Sequence, residues 1–223
     1  MKGMFALIAL AATPVFAQEV QTSSQKAPTS AEGALEITLG AGYAQGFGDI
    51  GGSQRSLTDL NSAGGEVIVG AGYRIDRHLF VGAYGSGGKY STADLTSGAD
   101  IWTATAGAQA NYHFLPEEQW DPWIGLGIGW RGHWIDKAVG TDTRHGLDLA
   151  RLQVGVDYRV SPEFSIAPYV GASASLFLAQ ELAQQTAFSN VQDPNVNLFF
   201  FGGVMGRFDI LGSRAQGTRV ASN

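Results

Sequence analysis

Eight times between Leu35 and Ile210, apolar side chains alternate with small or polar ones at a period of two. Successive side chains of a strand point to opposite faces, so each such segment reads as a strand with one apolar face. The segments are Leu35–Tyr43, Glu66–Ile75, Leu79–Tyr90, Trp102–Phe114, Ile124–Trp134, Arg151–Val160, Phe164–Leu176 and Leu198–Ile210. In the fourth, Trp102, Ala104, Ala106, Ala108, Ala110, Tyr112 and Phe114 oppose Thr103, Thr105, Gly107, Gln109, Asn111 and His113. Each segment is around ten residues long. Ordinary strands average ~5–6 residues, whereas a tilted bilayer-crossing strand needs ~9–11.

The connections alternate in length. Gly46–Gly64, Ser91–Asp100, Ile135–Gly146 and Ala179–Asn195 are long; Asp76-Arg77-His78 and Ser161-Pro162-Glu163 are short, and Leu115–Asp121 is moderate. Long loops at one end and tight turns at the other is the layout of a membrane barrel, and an even strand count puts both chain ends on the turn side. With odd strands running outward, Tyr73, Tyr112, Phe114, Tyr158, Phe164 and Phe208 fall at one rim of the apolar face. Tyr43, Trp102, Trp130 and Trp134 fall at the other. Two aromatic belts are what two membrane–water interfaces select. Pro168 interrupts the seventh strand, where a bulge is expected.

Lys2 followed by the apolar run Met4–Ala12 and then Thr13-Pro14-Val15-Phe16-Ala17 reads as a secretory signal peptide, residues 1–17. The run is about half the ~20 residues a spanning helix needs. Residues 18–33 are polar and unpatterned, a flexible leader; residues 34–210 are the barrel and 211–223 a polar tail. Lys plus Arg is 14 and Asp plus Glu 20, a charge of -6, so electrostatic binding of nucleic acid has no support. With no Cys, thiolate metal sites and Cys nucleophiles are excluded, and His78, His113, His133 and His145 lack metal-motif spacing. No cofactor and no metal are expected.

The other face carries glycines and charges. Gly127-Ile128-Gly129-Trp130-Arg131-Gly132 matches the letters G-x-G-x-x-G, but a nucleotide site needs that run between a strand and a helix, and here it lies inside a strand. Glycines of Gly40-Ala41-Gly42-Tyr43 and Gly70-Ala71-Gly72-Tyr73 face inward, where a small barrel has little room. The inward charges are Glu36, Glu66, Arg74, Arg131, Arg151, Asp157, Arg159, Arg207 and Asp209. Mixed signs on one inner face predict a salt-bridged plug rather than a channel, since buried charge needs a partner. Direction and parity put Arg74 and Arg207 at nearly the height of Glu36, on its two neighbouring strands. His113 and His133 face inward at opposite ends; His145, with Asp142 or Asp148, lies in a loop without an obvious nucleophile.

Signal peptide, eight long alternating strands, long–short connections and a last strand ending Met205-Gly206-Arg207-Phe208-Asp209-Ile210 resemble the small outer-membrane β-barrels of Gram-negative bacteria. That group includes the barrel of outer membrane protein A and proteins X and W. Members often stop at a terminal aromatic read by the barrel-assembly machinery; here Phe208 and Ile210 are followed by the tail, too short for a peptidoglycan-binding domain. The resemblance implies an all-β, up-and-down, eight-stranded antiparallel transmembrane barrel in the cell outer membrane. It implies outer-membrane lipid and lipopolysaccharide, the assembly machinery and an extracellular partner at the loops as contacts, in a monomer. The chain is expected to be no enzyme, its role structural or carried by surface loops. The alternatives are an outer-membrane lipid-modifying enzyme, which would need a Ser–His pair facing lipid, and a soluble lipocalin-like carrier, whose apolar face would line the lumen.

Overall fold

A computed structural model describes residues 30–51, 56–93, 96, 98–183 and 187–212. The signal peptide, most of the leader and nearly all of the tail lie outside the described residues. The strands are β1 (Ala34–Phe47), β2 (Asn61–Arg74), β3 (Leu79–Thr92), β4 (Asp100–His113), β5 (Trp120–Lys137), β6 (Gly140–Ser161), β7 (Phe164–Glu181), the two-residue β8 (Ser189–Asn190) and β9 (Val196–Ile210). All neighbours are antiparallel, and β1 pairs with both β2 and β9 while β7 pairs with β6 and β9. β1–β7 and β9 therefore close an eight-stranded up-and-down barrel, with the start of β1 and the end of β9 at the turn end.

The expected faces are present. Leu39, Val67, Val69, Leu126, Ile128, Val170 and Val204 are exposed on the outside, while their strand neighbours point inward. Tyr73, Tyr112, Phe114 and Phe208 are exposed near the turn end and Tyr43, Trp102 and Trp130 near the loop end. Trp120, tilted at 50° to the Tyr158 ring with centroids 4.6 Å apart, joins the turn-end belt although it was expected in the connection Leu115–Asp121.

Four expectations on local structure change. The eight barrel strands run 14–22 residues, because pairing continues past the alternating segments. Ile135–Gly146 is no long loop: β5 pairs with β6 up to Lys137↔Gly140, leaving a turn of two residues, Ala138 and Val139. The first long connection holds a one-turn helix, α1 (Leu57–Leu60), capped by the Ser56 hydroxyl accepting from the Thr58 N–H. Pro168 makes no bulge; its register with β9 is unbroken, and pairing with β6 merely lapses between Gly155↔Tyr169 and Tyr158↔Ile166. Proline lacks one donor, and losing a rung on one side accommodates it.

A bulge that bears on the lumen lies in β6 instead. Between Asp148 and Ala150 the register shifts by one residue against both neighbours, so Leu149 and Ala150 both point outward. An inserted residue flips the parity beyond it. Below the bulge the inward residues are Arg151, Gln153 and Asp157; above it they are Asp148, Arg144 and Asp142.

Glycines sit where strands approach most closely. Gly42 faces Gly203 across the β1–β9 seam, Gly72 faces Gly82, and Gly107 faces Gly129. A Cβ at Gly203 would lie 2.2 Å from the Ala41 carbonyl oxygen. Tight coiling of a narrow barrel leaves no volume for side chains at these crossings.

Candidate functional site

The inward face of a closed eight-stranded sheet must place its side chains in one lumen, so charges distant in sequence meet there. Six of the nine charges expected inside form one cluster at the turn end: Glu36, Arg74, Asp157, Arg159, Arg207 and Asp209, all buried. Glu36 pairs with Arg74 of β2, and its Oε1 lies 3.6 Å from Arg207 Nη1 of β9. Arg74 Nε stands 3.9 Å from Asp209, Arg159 Nη1 3.8 Å from Asp209, and Arg207 Nε 3.5 Å from Asp157.

Two members were absent from the expected charge set. Asp121 opens β5 rather than lying in a connection, and His113 stands across from it on β4; Nδ1 and Oδ2 are 2.8 Å apart. The period-two pattern extends back from Ile124 through Trp123 to Asp121, a signal that Pro122 obscures. Arg207 donates to His113 Nε2 at 3.0 Å. That contact fixes the ring proton on Nδ1, where it is donated to Asp121.

His113 Nδ1, Asp121 and Asp157 offer ligand atoms within 4.8 Å of one another, a spacing a metal ion could bridge. The surroundings do not fit one. Nδ1 carries its proton, Arg159 Nη2 lies 3.9 Å from Asp121, and Arg207 lies against both Asp157 and the ring. A cation there would displace two guanidinium partners, so the donors already serve an ion-pair network.

A second cluster lies midway. Arg131 Nε donates to Ser175 Oγ and its Nη2 to Ser173 Oγ, both at 2.9 Å. Ser175 donates to Asp148 at 2.6 Å, and Tyr84 donates to the other Asp148 oxygen at 3.2 Å. Arg151 lies between two rings, 3.7 Å from the Phe201 centroid and 5.0 Å from that of Tyr84. Arg131 stacks at 3.8 Å on Phe199, and Arg207, below, at 4.2 Å on Trp123. Arg151 and Arg131 were expected inside, and parity in the seventh segment turns Ser173 and Ser175 inward with them; Asp148 was expected in a loop. Glu66, half-buried on β2, joins neither cluster by an ion pair.

His133 is fully buried at the loop end, edge-on to Phe177 at 6.2 Å. His145 points outward from β6 between Trp130, Trp134 and Phe188, with ring centroids 5.5, 5.9 and 5.4 Å away. Asp142 and Asp148 lie on the opposite face of the same strand, so neither pairs with His145. Among the described residues no serine hydroxyl bonds to His145, the pairing that the lipid-modifying alternative calls for.

A family model described as the outer membrane protein beta-barrel domain matches residues 4–172. Among solved structures, the crystal structure of Neisserial surface protein A is similar, at 20% identity and TM-score 0.54 over 80% of this chain and 100% of that one. So is the outer membrane protein OprG of Pseudomonas aeruginosa, at 13% and 0.52 over 82% and 99%. The outer membrane protein AlkL, determined in lipid bilayers, gives 12% and 0.50 over 93% and 100%. At these identities the likeness establishes the fold. No curated protein matches.

Proposed function

The chain belongs to the outer membrane protein β-barrel family, and from that premise we propose that it is a barrel with a filled interior acting through its outer surface. It resides in the outer membrane of a Gram-negative bacterium. The observation that carries the reading is the span of Arg151, on β6, between Tyr84 of β3 and Phe201 of β9. β3 stands three strands from both β6 and β9 around the ring, and β6 and β9 are separated by β7, so the guanidinium and the two rings reach across the lumen. Arg131 with Phe199 and Arg207 with Trp123 add cross-lumen contacts above and below.

A filled lumen leaves the outer connections as the working surface, namely α1, the β5–β6 hairpin and the segment around β8. The barrel then acts as a monomer that contacts lipid and lipopolysaccharide on its apolar face, the assembly machinery during insertion, and an extracellular partner at its loops. It is not an enzyme in this reading, since neither the buried clusters nor His145 offers an activated nucleophile. A lipocalin-like carrier is disfavoured by an apolar face turned outward.

Planar-bilayer recording tests the filled interior, with heat-modified electrophoretic mobility showing that the barrel is folded. The expected result is a folded protein without steady ionic conductance steps. Discrete steps persisting in the folded protein overturn it.

A further inference from the structure

Four residues before β1 lie where a disordered leader has no reason to be. Ser30 and Ala31 are 1% and 0% exposed. The Ser30 N–H donates to the Pro116 carbonyl at 3.0 Å, in the β4–β5 turn. Its hydroxyl accepts from Arg159 Nη2 of β6 at 3.0 Å and from Arg74 Nη1 of β2 at 3.4 Å. The Gly33 N–H donates to the Arg74 carbonyl at 3.0 Å, and Gly33 takes the left-handed φ of +65°.

These anchors are far apart on the barrel. β1 adjoins β2 and β9, whereas the β4–β5 turn lies halfway around the ring. The chain from Ser30 to Ala34 can span about 13 Å when extended, enough to cross the mouth of a narrow barrel. It crosses beneath the turn-end charge cluster and touches it, giving two guanidiniums a neutral acceptor. Glu32 meets Arg77 at 3.8 Å on the β2–β3 turn, a further attachment outside the lumen.

From this geometry we infer that Ser30–Gly33 is a strap that closes the periplasmic mouth of the lumen. The inference rests on the filled-interior reading and adds to it a removable element: the wall and its clusters are fixed by the ladder, whereas the strap is held by a few hydrogen bonds. Withdrawing it uncovers Arg74 and Arg159 to the periplasm.

The chain has no cysteine, so one introduced thiol reports access cleanly. Ser165 on β7 points inward at the turn end and is 6% exposed, which makes Ser165→Cys the reporter. Folded protein beginning at Gln18 is compared with protein beginning at Ala34, using a charged membrane-impermeant thiosulfonate. Heat-modified mobility shows that both are folded, and Ser173→Cys in the middle cluster serves as the second reporter. The strap predicts labelling of Ser165→Cys at least ten-fold faster without residues 18–33, with Ser173→Cys slow in both. Slow labelling of Ser165→Cys in both proteins overturns the strap and leaves the filled interior standing. Fast labelling of both thiols in the intact protein overturns the two together.

Discussion

Glu36 of β1 and Arg207 of β9 pair across the seam where the first and last barrel strands meet, Oε1 to Nη1 at 3.6 Å. The same carboxylate pairs with Arg74 of β2. One side chain thus links three consecutive strands of the closed sheet from within. Nearby, Asp157, Asp209 and Asp121 share the arginines Arg74, Arg159 and Arg207, so the cluster is close to charge balance.

Replacing Glu36 by Gln keeps the volume and removes the charge. Arg74 then keeps Asp209 at 3.9 Å and the Ser30 hydroxyl at 3.4 Å, and Arg207 keeps Asp157 at 3.5 Å and His113 Nε2 at 3.0 Å. Breaking a buried pair from one side costs about 3–5 kcal/mol, and the remaining carboxylates hold the loss near the lower end. Equilibrium urea unfolding in lipid or detergent measures it; a midpoint equal to that of the parent protein refutes the role of the seam pair.

The outer face gives a second test. Leu126 is 63% exposed and Val154 43%, both among apolar neighbours midway along their strands. Leu126→Arg and Val154→Arg each place a guanidinium in the hydrocarbon, at a cost of about 2–4 kcal/mol near the midplane. Leu126→Phe keeps the face apolar and is expected to assemble normally. Assembly into vesicles, followed by heat-modified mobility, separates the variants; equal yields would place these residues away from lipid.

How much of this was readable in the sequence varies with position. The eight strands, their faces and the Glu36 pairings follow from parity, because a side-chain period of two admits no partial shift. Asp148 escaped because the β6 bulge just after it reverses the parity read from Arg151–Val160, and Asp142–Gly146 was taken for loop for the same reason. Yet Asp142, Arg144, Gly146 and Asp148 themselves alternate with Thr143, His145 and Leu147, and a frame restarted after the bulge recovers them. The inward rings are a different case. Parity with Val204 and Phe208 puts Leu198 and Phe200 on the outer face and so leaves Phe199 and Phe201 inside, but in the continuously apolar run Leu198–Phe201 the pattern does not say what an inward ring packs against. Closure of the barrel supplies the partners, bringing Arg131 over Phe199 and Arg151 over Phe201.

Glycine positions give a third test through contrast. At Gly203 an added Cβ meets the Ala41 carbonyl at 2.2 Å, backbone that cannot move without opening the seam. At Gly85 the nearest atoms are 3.7 Å away, ordinary contact. Gly203→Ala is expected to destabilise by about 1–3 kcal/mol, as overpacking does. Gly85→Ala is expected to be neutral or slightly stabilising, since it reduces the freedom of the unfolded chain. Unfolding midpoints of the two variants in one lipid decide it; equal shifts would show that the seam tolerates a side chain.

The last test uses pH at the β2–β3 turn. Asp76 Oδ1 accepts from the His78 N–H at 2.7 Å and from the Leu79 N–H at 2.9 Å. These two backbone donors hold the Asp76 carboxyl below its ordinary value. A carboxyl whose folded pKa is depressed contributes stability above its unfolded pKa of about 4, and loses it as pH falls through the folded pKa. Asp76→Ala removes the acceptor at every pH. The variant should therefore be less stable than the parent at pH 6, and the gap should narrow progressively below about pH 4 as the parent's carboxylate protonates. Measuring both midpoints at each pH cancels the titration of the buried clusters, which the two proteins share. A gap that stays constant down to pH 2.5 would mean that the charge of Asp76 does not hold the turn.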